Sequence, residues 1–148
     1  MADRGTVQAT SADPADLHTR GQLVVIKLAA AGRRLGGSIG ARVGNTELAA
    51  NVPVLVLCEL ALRGPLRPRD LLEATQLTSG GMTKQLDHLE ALGLIERSFG
   101  TLKRDRRGSV VCLTPTGAQA AITIAQAVED DVEALRATIA EVSALLRG

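Results

Sequence analysis

The order of apolar and polar positions predicts a first half of the chain dominated by one long helix. Residues 1–12 are small and polar, which is typical of a disordered tail. Asp13 and Pro14 form a helix start, because an aspartate caps the first turn and a proline fits within it. Apolar residues then recur at helical intervals as far as Ile39. We therefore predict an N-terminal helical region over residues 13–50.

Three shorter helices are predicted in the middle of the chain. Asn51 is expected to cap a helix that is apolar almost all round and therefore buried, and Gly64–Pro65 ends it. A short helix follows over Pro68–Thr75. Thr78 is expected to cap the third helix, which Gly93 ends.

The pattern then changes to that of a β-hairpin. Residues 94–97 are predicted as a short strand, residues 99–108 as a polar, basic loop, and the β-branched run Ser109–Leu113 as the returning strand. A final helical region follows, with apolar residues spaced as in a helix-packing seam. Thr138 and Glu141 have the spacing of a capping box, which would divide that region into two helices and leave a short last one.

Four glycines recur at intervals of four along the first helix, at positions Gly32, Gly36, Gly40 and Gly44. They form either a face that lets another helix approach closely or a helix end weakened by glycine. The sequence favours neither interpretation.

Composition agrees with a single, mainly helical domain. The chain has 148 residues, of which 45% are apolar and 22% charged, and its one aromatic is Phe99. A β-sandwich or barrel without aromatics would be unusual, because strands favour them. The net charge of +1 hides an uneven distribution: residues 63–107 carry nine basic and six acidic residues, whereas residues 118–148 carry two and five.

One face of the third predicted helix is a candidate nucleic-acid surface. Met82, Leu86 and Leu89 share the apolar face. The opposite face carries Gly80, Thr83, Lys84, Asp87 and His88. Side chains such as Thr83 and Lys84 donate hydrogen bonds to bases or phosphates, and the N–H groups near Thr78 and Ser79 suit a phosphate. The alternative is an ordinary solvated helix face.

The loop of the predicted hairpin strengthens the first interpretation. Lys103, Arg104, Arg106 and Arg107 surround Asp105. So many neighbouring cations repel one another, and an anionic partner explains them better than a merely solvated loop does. Asp105 is placed to hold the guanidinium of Arg107 in one rotamer, which suits insertion into a narrow minor groove. Three helices followed by such a hairpin form a shape typical of DNA binding.

The segment from residue 77 to residue 117 resembles the winged helix of the MarR family of bacterial transcriptional regulators. The residues that carry the resemblance are Leu77–Thr78, Thr83, Leu89–Glu90, Gly93-Leu94-Ile95, Asp105, Arg107, Leu113-Thr114 and Gly117. The order of predicted helices on both sides agrees with it. Gly80–Gly81 departs from the family, whose members usually carry side chains there, and so does His88, at a position that is often basic.

The resemblance implies a mainly α fold with a small β-hairpin wing: a winged helix-turn-helix flanked by terminal dimerisation helices. Residues 13–50 and 118–148 would form a homodimer, and residues 51–117 would bind pseudo-palindromic double-stranded DNA in adjacent major grooves. The expected DNA-binding residues are Thr78, Ser79, Gly80, Thr83, Lys84, His88, Lys103, Arg104, Asp105, Arg106 and Arg107. Such a protein acts as a repressor or an activator, and a small effector often modulates it.

Other functions have weaker support in the sequence. The chain shows no phosphate loop, nucleophile elbow or carboxylate pair, so we expect no enzyme. Its histidines and cysteines lack metal-ligand spacing, so we expect no metal or other cofactor.

Two rival functions remain: a winged-helix module that binds an acidic protein, and a regulator whose Cys58 or Cys112 senses redox state. Any effector would be apolar or weakly acidic, in an aliphatic pocket. With two cysteines and no membrane span or signal region, we expect a cytoplasmic protein.

Overall fold

The computed structural model describes residues 14–99 and 108–148 of the chain. The predicted tail, the cap at Asp13, and the charged loop residues Lys103, Arg104, Asp105, Arg106 and Arg107 lie outside the described residues. The elements follow in the order α1 (Pro14–Val43), a 3₁₀ turn (Thr46–Ala49), α2 (Asn51–Arg63), α3 (Pro68–Thr75), α4 (Ser79–Ala91), β1 (Ile95–Phe99), β2 (Ser109–Leu113), α5 (Pro115–Asp130) and α6 (Val132–Arg147). The predicted mainly α fold with a β-hairpin is confirmed.

The hairpin is antiparallel, with Ile95 opposite Leu113 and Phe99 opposite Ser109. Leu66, in the connection between α2 and α3, forms an isolated bridge with Val111. Both backbone bonds of this bridge are present, so the hairpin is attached to the helices along its inner edge. The hairpin therefore extends the helical unit.

Residues 32–132 form one of two compact units, and its core explains the predicted helices. Apolar side chains from the helices and both strands meet in one buried cluster, which includes Leu48, Val56, Leu57, Leu60, Leu71, Met82, Leu86, Leu89, Ile95, Val111 and Ile124. α2 contributes three of these residues, in agreement with its nearly continuous apolar sequence. No aromatic is needed, because leucine, valine and isoleucine fill this core.

The second unit consists of residues 1–31 and 133–148, of which residues 14–31 and 133–148 are described. Lys27 Nζ lies 2.5 Å from Glu141 Oε2 within it. Ala31 and Val142 are buried. Most of the large apolar side chains of this unit are exposed, among them Leu17, Val25, Ile26, Leu28, Ile139 and Leu146.

Two predicted helix boundaries are wrong. Ala50 precedes the first residue of α2 as its N-cap, without a capping side chain, so Asn51 is inside the helix and is not its cap. The last helical region divides at Asp131 and not at Thr138, whose hydroxyl donates to the carbonyl of Ala134 within α6. The break coincides with a tertiary contact, because the hydroxyl of Ser38 donates to the carboxylate of Asp131 at 3.0 Å.

The spaced glycines of α1 serve two purposes. A Cβ at Gly36 would overlap the carbonyl oxygen of Ala49, and one at Gly40 would lie 3.2 Å from the Cβ of Ala49. Close approach is therefore confirmed at these two positions, although the partner is the 3₁₀ turn and not another helix. Gly44 has a φ of +71° just after the end of α1, which is the conformation that glycine adopts at helix ends.

Candidate nucleic-acid interface

The candidate recognition helix is α4, and Thr78 begins it as predicted. The Thr78 hydroxyl accepts a hydrogen bond from the N–H of Gly81 at 3.1 Å. Met82, Leu86 and Leu89 are buried in the core, which fixes the rotation of the helix about its axis. The opposite face of α4 is therefore turned away from the core.

The residues predicted on that opposite face are indeed at the surface. Ser79, Gly80, Thr83 and Lys84 are exposed, and the Thr83 hydroxyl donates to the carbonyl of Ser79. A Cβ at Gly80 would meet nothing within 4 Å. The missing side chain leaves the first turn of α4 open to an approaching backbone, such as that of a nucleic acid.

His88 is placed differently from the other predicted residues. Its ring is only partly exposed, and Nε2 lies 3.3 Å from Oε2 of Glu47, in the 3₁₀ turn. His88 therefore joins the second half of α4 to the segment after α1. Ser79, Thr83 and Lys84 form a group at the N-terminal half of the helix, from which His88 is separated.

An arginine of the hairpin is bound to two acids of α4. Arg97 Nη2 donates to Asp87 Oδ1 at 2.7 Å, and Arg97 Nε donates to Glu90 Oε2 at 3.0 Å. The hydrogen bond from Arg97 lowers the pKa of the Glu90 carboxyl below its ordinary value. The same two carboxylates raise the pKa of Arg97. Asp87, Glu90 and Arg97, here called the acid–arginine cluster, join α4 to β1.

The turn between α4 and β1 is fixed from the far side of the hairpin. Gly93 has a φ of +70°, and its carbonyl accepts a hydrogen bond from the Thr114 hydroxyl at 2.6 Å. The same hydroxyl caps α5 by accepting from the N–H of Gly117. The Thr114 side chain therefore fixes both the turn that precedes β1 and the start of α5.

Residues 52–108 match the sequence model of the MarR family. That segment includes α2, α3, α4 and the hairpin described above. This segment of the chain is therefore similar in sequence to the MarR family.

Solved structures of MarR-family and related regulators have the same fold. A mutant MarR from E. coli in complex with operator DNA is 24% identical, with a TM-score of 0.63, over 86% of this chain and 90% of that one. Bordetella bronchiseptica BpsR, whose DNA binding is regulated by 6-hydroxynicotinic acid, is 23% identical, with a TM-score of 0.58, over 81% and 92%. NadR in complex with 4-hydroxyphenylacetate is 18% identical, with a TM-score of 0.62, over 99% and 92%. A search of curated proteins found no match.

The acid–arginine cluster was not predicted from the sequence. Asp87 and Glu90 are three residues apart and so share one side of α4, and Arg97 follows in the next element. This spacing of two acids and an arginine could have predicted an ion pair between α4 and the following strand. Asp87 was assigned only to the exposed face, although its carboxylate accepts a hydrogen bond from Arg97.

An apolar cavity of about 280 Å³ lies between α1 and α2 in the unit formed by residues 32–132. It is lined by Gly32, Leu35, Gly36, Ile39, Ala49, Val54 and Leu55. None of these side chains is charged, so the side chains that line the cavity are entirely apolar.

Other chemistry finds little support in the part of the chain that the structure describes. No group of three or more histidine, cysteine or acidic side chains is placed to hold a metal ion there. Within the same residues, no helix is long and apolar enough to cross a membrane. Burial raises the pKa of the Cys58 thiol, and the neighbouring carboxylate of Glu59 adds to the shift.

Proposed function

We propose that the chain is a homodimeric transcriptional regulator that binds pseudo-palindromic double-stranded DNA with α4 and the hairpin. The observation that carries the proposal is the surface of α4. A capped N-terminus and the exposed Ser79, Thr83 and Lys84 lie on one side, opposite a fully buried apolar face. Its location would be the cytoplasm, where bacterial DNA is accessible.

The chemistry of this surface suits the major groove. An α-helix fits the groove of B-DNA, and its N-terminal residues are the ones that reach base edges. Lys84 supplies a cation, and the hydroxyls of Ser79 and Thr83 supply hydrogen-bonding groups. The open space at Gly80 lets a phosphate approach the positive end of the helix dipole closely.

The charged loop supplies the second half of the proposed contact. Lys103, Arg104, Asp105, Arg106 and Arg107 connect β1 to β2. We assign Arg107 to the minor groove and Asp105 to the orientation of its guanidinium, and the other three cations to phosphates. Thr78 contributes by capping the first turn of α4, which keeps that turn helical beside the proposed contact, and His88 at the far end of the helix is a weaker candidate.

The exposed apolar side chains of α1 and α6 support a dimer. Leu17, Val25 and Ile26 of α1 are more than half exposed, as are Ile139 and Leu146 of α6. Several large apolar side chains left exposed in one unit are typical of an interaction site. A second copy of the chain would cover it and would place two copies of α4 about one DNA turn, or roughly 34 Å, apart.

Selection from a random pool of duplexes tests the proposal. Labelled duplexes of roughly 30 base pairs leave room for two half-sites one turn apart. We expect enrichment of an inverted repeat and, in sedimentation, a dimer both free and bound. If no duplex is enriched, and the protein instead retains an acidic polypeptide such as polyglutamate, the rival winged-helix protein-interaction module is favoured.

A small effector is proposed as well, because the chain has a cavity where one could act. The cavity between α1 and α2 has an entirely apolar set of side chains, including Leu35, Ile39, Val54 and Leu55. BpsR and NadR are described with carboxylate-bearing aromatic compounds. Since no cation lines this cavity, the proposed effector here is small, apolar and uncharged.

Two phenols that differ by one carboxylate group test the effector. We expect 4-methylphenol to raise the melting temperature and 4-hydroxyphenylacetate to have a smaller effect or none. Gly32→Leu should abolish the shift, because it fills the cavity from a position with nothing within 4 Å. Gly37→Leu is the matched control, since Gly37 is equally open but does not line the cavity. A stronger response to the carboxylate would contradict the assignment.

A further inference from the structure

The acid–arginine cluster joins the two elements that are proposed to contact DNA. We propose that Arg97 is a positioning residue: it holds the hairpin at a fixed angle to α4, so that helix and hairpin engage DNA as one unit. This inference rests on the proposed function and goes beyond it, because it assigns a role in DNA binding to a residue that does not touch DNA.

The contacts fix both the backbone and the side chain of Arg97. The Arg97 backbone N–H donates to Glu90 Oε1 at 3.3 Å, while Nε donates to Glu90 Oε2. Nη2 donates to Asp87 Oδ1 and also to Glu90 Oε2. A planar guanidinium that is held by two carboxylates has little freedom to rotate. Strand β1 is therefore fixed in position and in orientation at its third residue.

The packing of β1 leads to the same conclusion. Side chains alternate across a strand, so Ile95 and Arg97 lie on one face of the hairpin. Ile95 is buried in the same core cluster as Leu89 of α4, and Arg97 is the next side chain on that face. The core anchors the base of the hairpin through Ile95, and the acid–arginine cluster extends the anchored region toward Phe99.

The charges of the cluster argue against a direct DNA contact by Arg97. Its guanidinium faces two carboxylates, and only 23% of the side chain is exposed. An arginine that binds a phosphate offers its donors to the ligand, whereas the Nε and Nη2 donors of Arg97 already bind the two carboxylates. Arg97 also partly neutralises Asp87, which would otherwise repel phosphates from the exposed face of α4.

The direction in which Glu90→Gln changes the DNA affinity distinguishes a positioning role from a purely electrostatic effect. The substitution removes a negative charge near the DNA-binding surface, so electrostatics alone predicts tighter binding. If the cluster positions the hairpin, binding weakens instead, because the amide no longer forms a charged pair with Arg97. We expect Kd for the selected duplex to rise about tenfold, the size typical of losing a hydrogen bond between charged groups.

Two substitutions of Arg97 complete the set. Arg97→Gln should weaken binding as much as Glu90→Gln while the slope of log affinity against log salt stays at the wild-type value. A lost phosphate contact would instead reduce that slope by about 0.9. Arg97→Lys keeps the charge but not the forked geometry, so it should also weaken binding. Arg63→Gln is the matched control, since Arg63 pairs with Glu59 of its own helix, at 3.1 Å, and not with an acid of α4.

Hydrogen exchange supplies a readout that does not involve DNA. Amides over residues 95–99 should exchange faster in Glu90→Gln and Arg97→Gln than in the wild type, with the amides of α2 unchanged.

All DNA binding is measured below each variant's melting transition, and Glu90→Gln suffices if Arg97→Gln does not fold. Tighter binding by Glu90→Gln, or a reduced salt slope in Arg97→Gln, would overturn the proposal. Failure of the wild type to bind any duplex would instead refute the proposed function itself.

Discussion

The α-carbon of Gly117 lies against the carbonyl oxygen of Leu94, so closely that a Cβ at position 117 would overlap that oxygen. The Leu94 carbonyl also accepts a hydrogen bond from the N–H of Thr114 at 3.1 Å. Gly93, Leu94, Thr114 and Gly117 are among the residues by which the chain resembles the MarR family. Their contacts show that these positions hold the hairpin to α5, which is a structural role.

Gly117→Ala is therefore expected to destabilise the protein. The added methyl group meets backbone that cannot move without breaking the Thr114 hydrogen bond, and forced overpacking typically costs about 1–3 kcal/mol. Urea denaturation measures the change. Gly80→Ala is the control: it lies in the first turn of α4 with open space around it, and it should be neutral or stabilising by up to about 1 kcal/mol. Equal effects of the two substitutions would refute the close packing of Gly117.

Two adjacent glycines of α1 should respond in opposite directions. Gly36→Ala would push against the carbonyl of Ala49, whereas Gly37→Ala adds a methyl group in open space. We expect a loss of about 1–3 kcal/mol for the first and a gain of up to about 1 kcal/mol for the second. Thermal unfolding of the two variants gives the comparison. A stabilising Gly36→Ala would show that the 3₁₀ turn does not pack against α1 as described.

The acid–arginine cluster should make part of the stability depend on pH. The Arg97 hydrogen bond lowers the pKa of Glu90 from its ordinary value of 4.5, so the folded state binds this proton less readily than the unfolded state. The contribution is complete above pH 4.5 and is lost as the pH falls through the lowered pKa. Wild type should exceed Glu90→Gln in unfolding free energy at neutral pH, and the difference should shrink in acid. A difference that grew in acid would contradict the pairing.

Cys58 is expected to be a poor redox sensor. Burial raises the pKa of its thiol, so little thiolate is present at neutral pH, and the thiolate is the reactive form. In a Cys112→Ala background, alkylation of Cys58 by iodoacetamide should be slower than that of a free cysteine, and it should approach the free rate on unfolding in urea. Rapid alkylation of the folded protein would instead support the alternative in which Cys58 senses redox state.

Local sequence predicted the elements whose boundaries are set locally. Pro68 and Thr75 bound α3 as expected, and the β-branched run Ser109–Leu113 is a strand throughout. Thr78 caps α4 because a threonine side chain can satisfy an N–H group three residues away. These features depend on neighbours within a few residues, which a sequence displays directly.

Features that depend on tertiary contacts were not predictable in the same way. No glycine or proline in the sequence marks the helix break at Asp131. The break coincides with the hydrogen bond from Ser38, 93 residues away. Arg97 was included in a predicted strand without a role, because its acceptors Asp87 and Glu90 become neighbours only when the hairpin folds back on α4. Similarly, the spacing of the glycines did not reveal what packs against Gly36. A turn and a helix can both approach a position that has no side chain, so the sequence pattern is the same for either.

The central claim is that α4 and the hairpin bind duplex DNA, and salt dependence of the affinity tests it most directly. Fluorescence anisotropy with the selected duplex should give a line of log affinity against log salt with a slope of roughly −5 for about six phosphate contacts. Lys84→Ala should reduce the slope by about 1 if Lys84 contacts a phosphate, or change the preferred sequence if it contacts a base. An affinity that does not change with salt, in the wild type and in Lys84→Ala alike, would contradict the account.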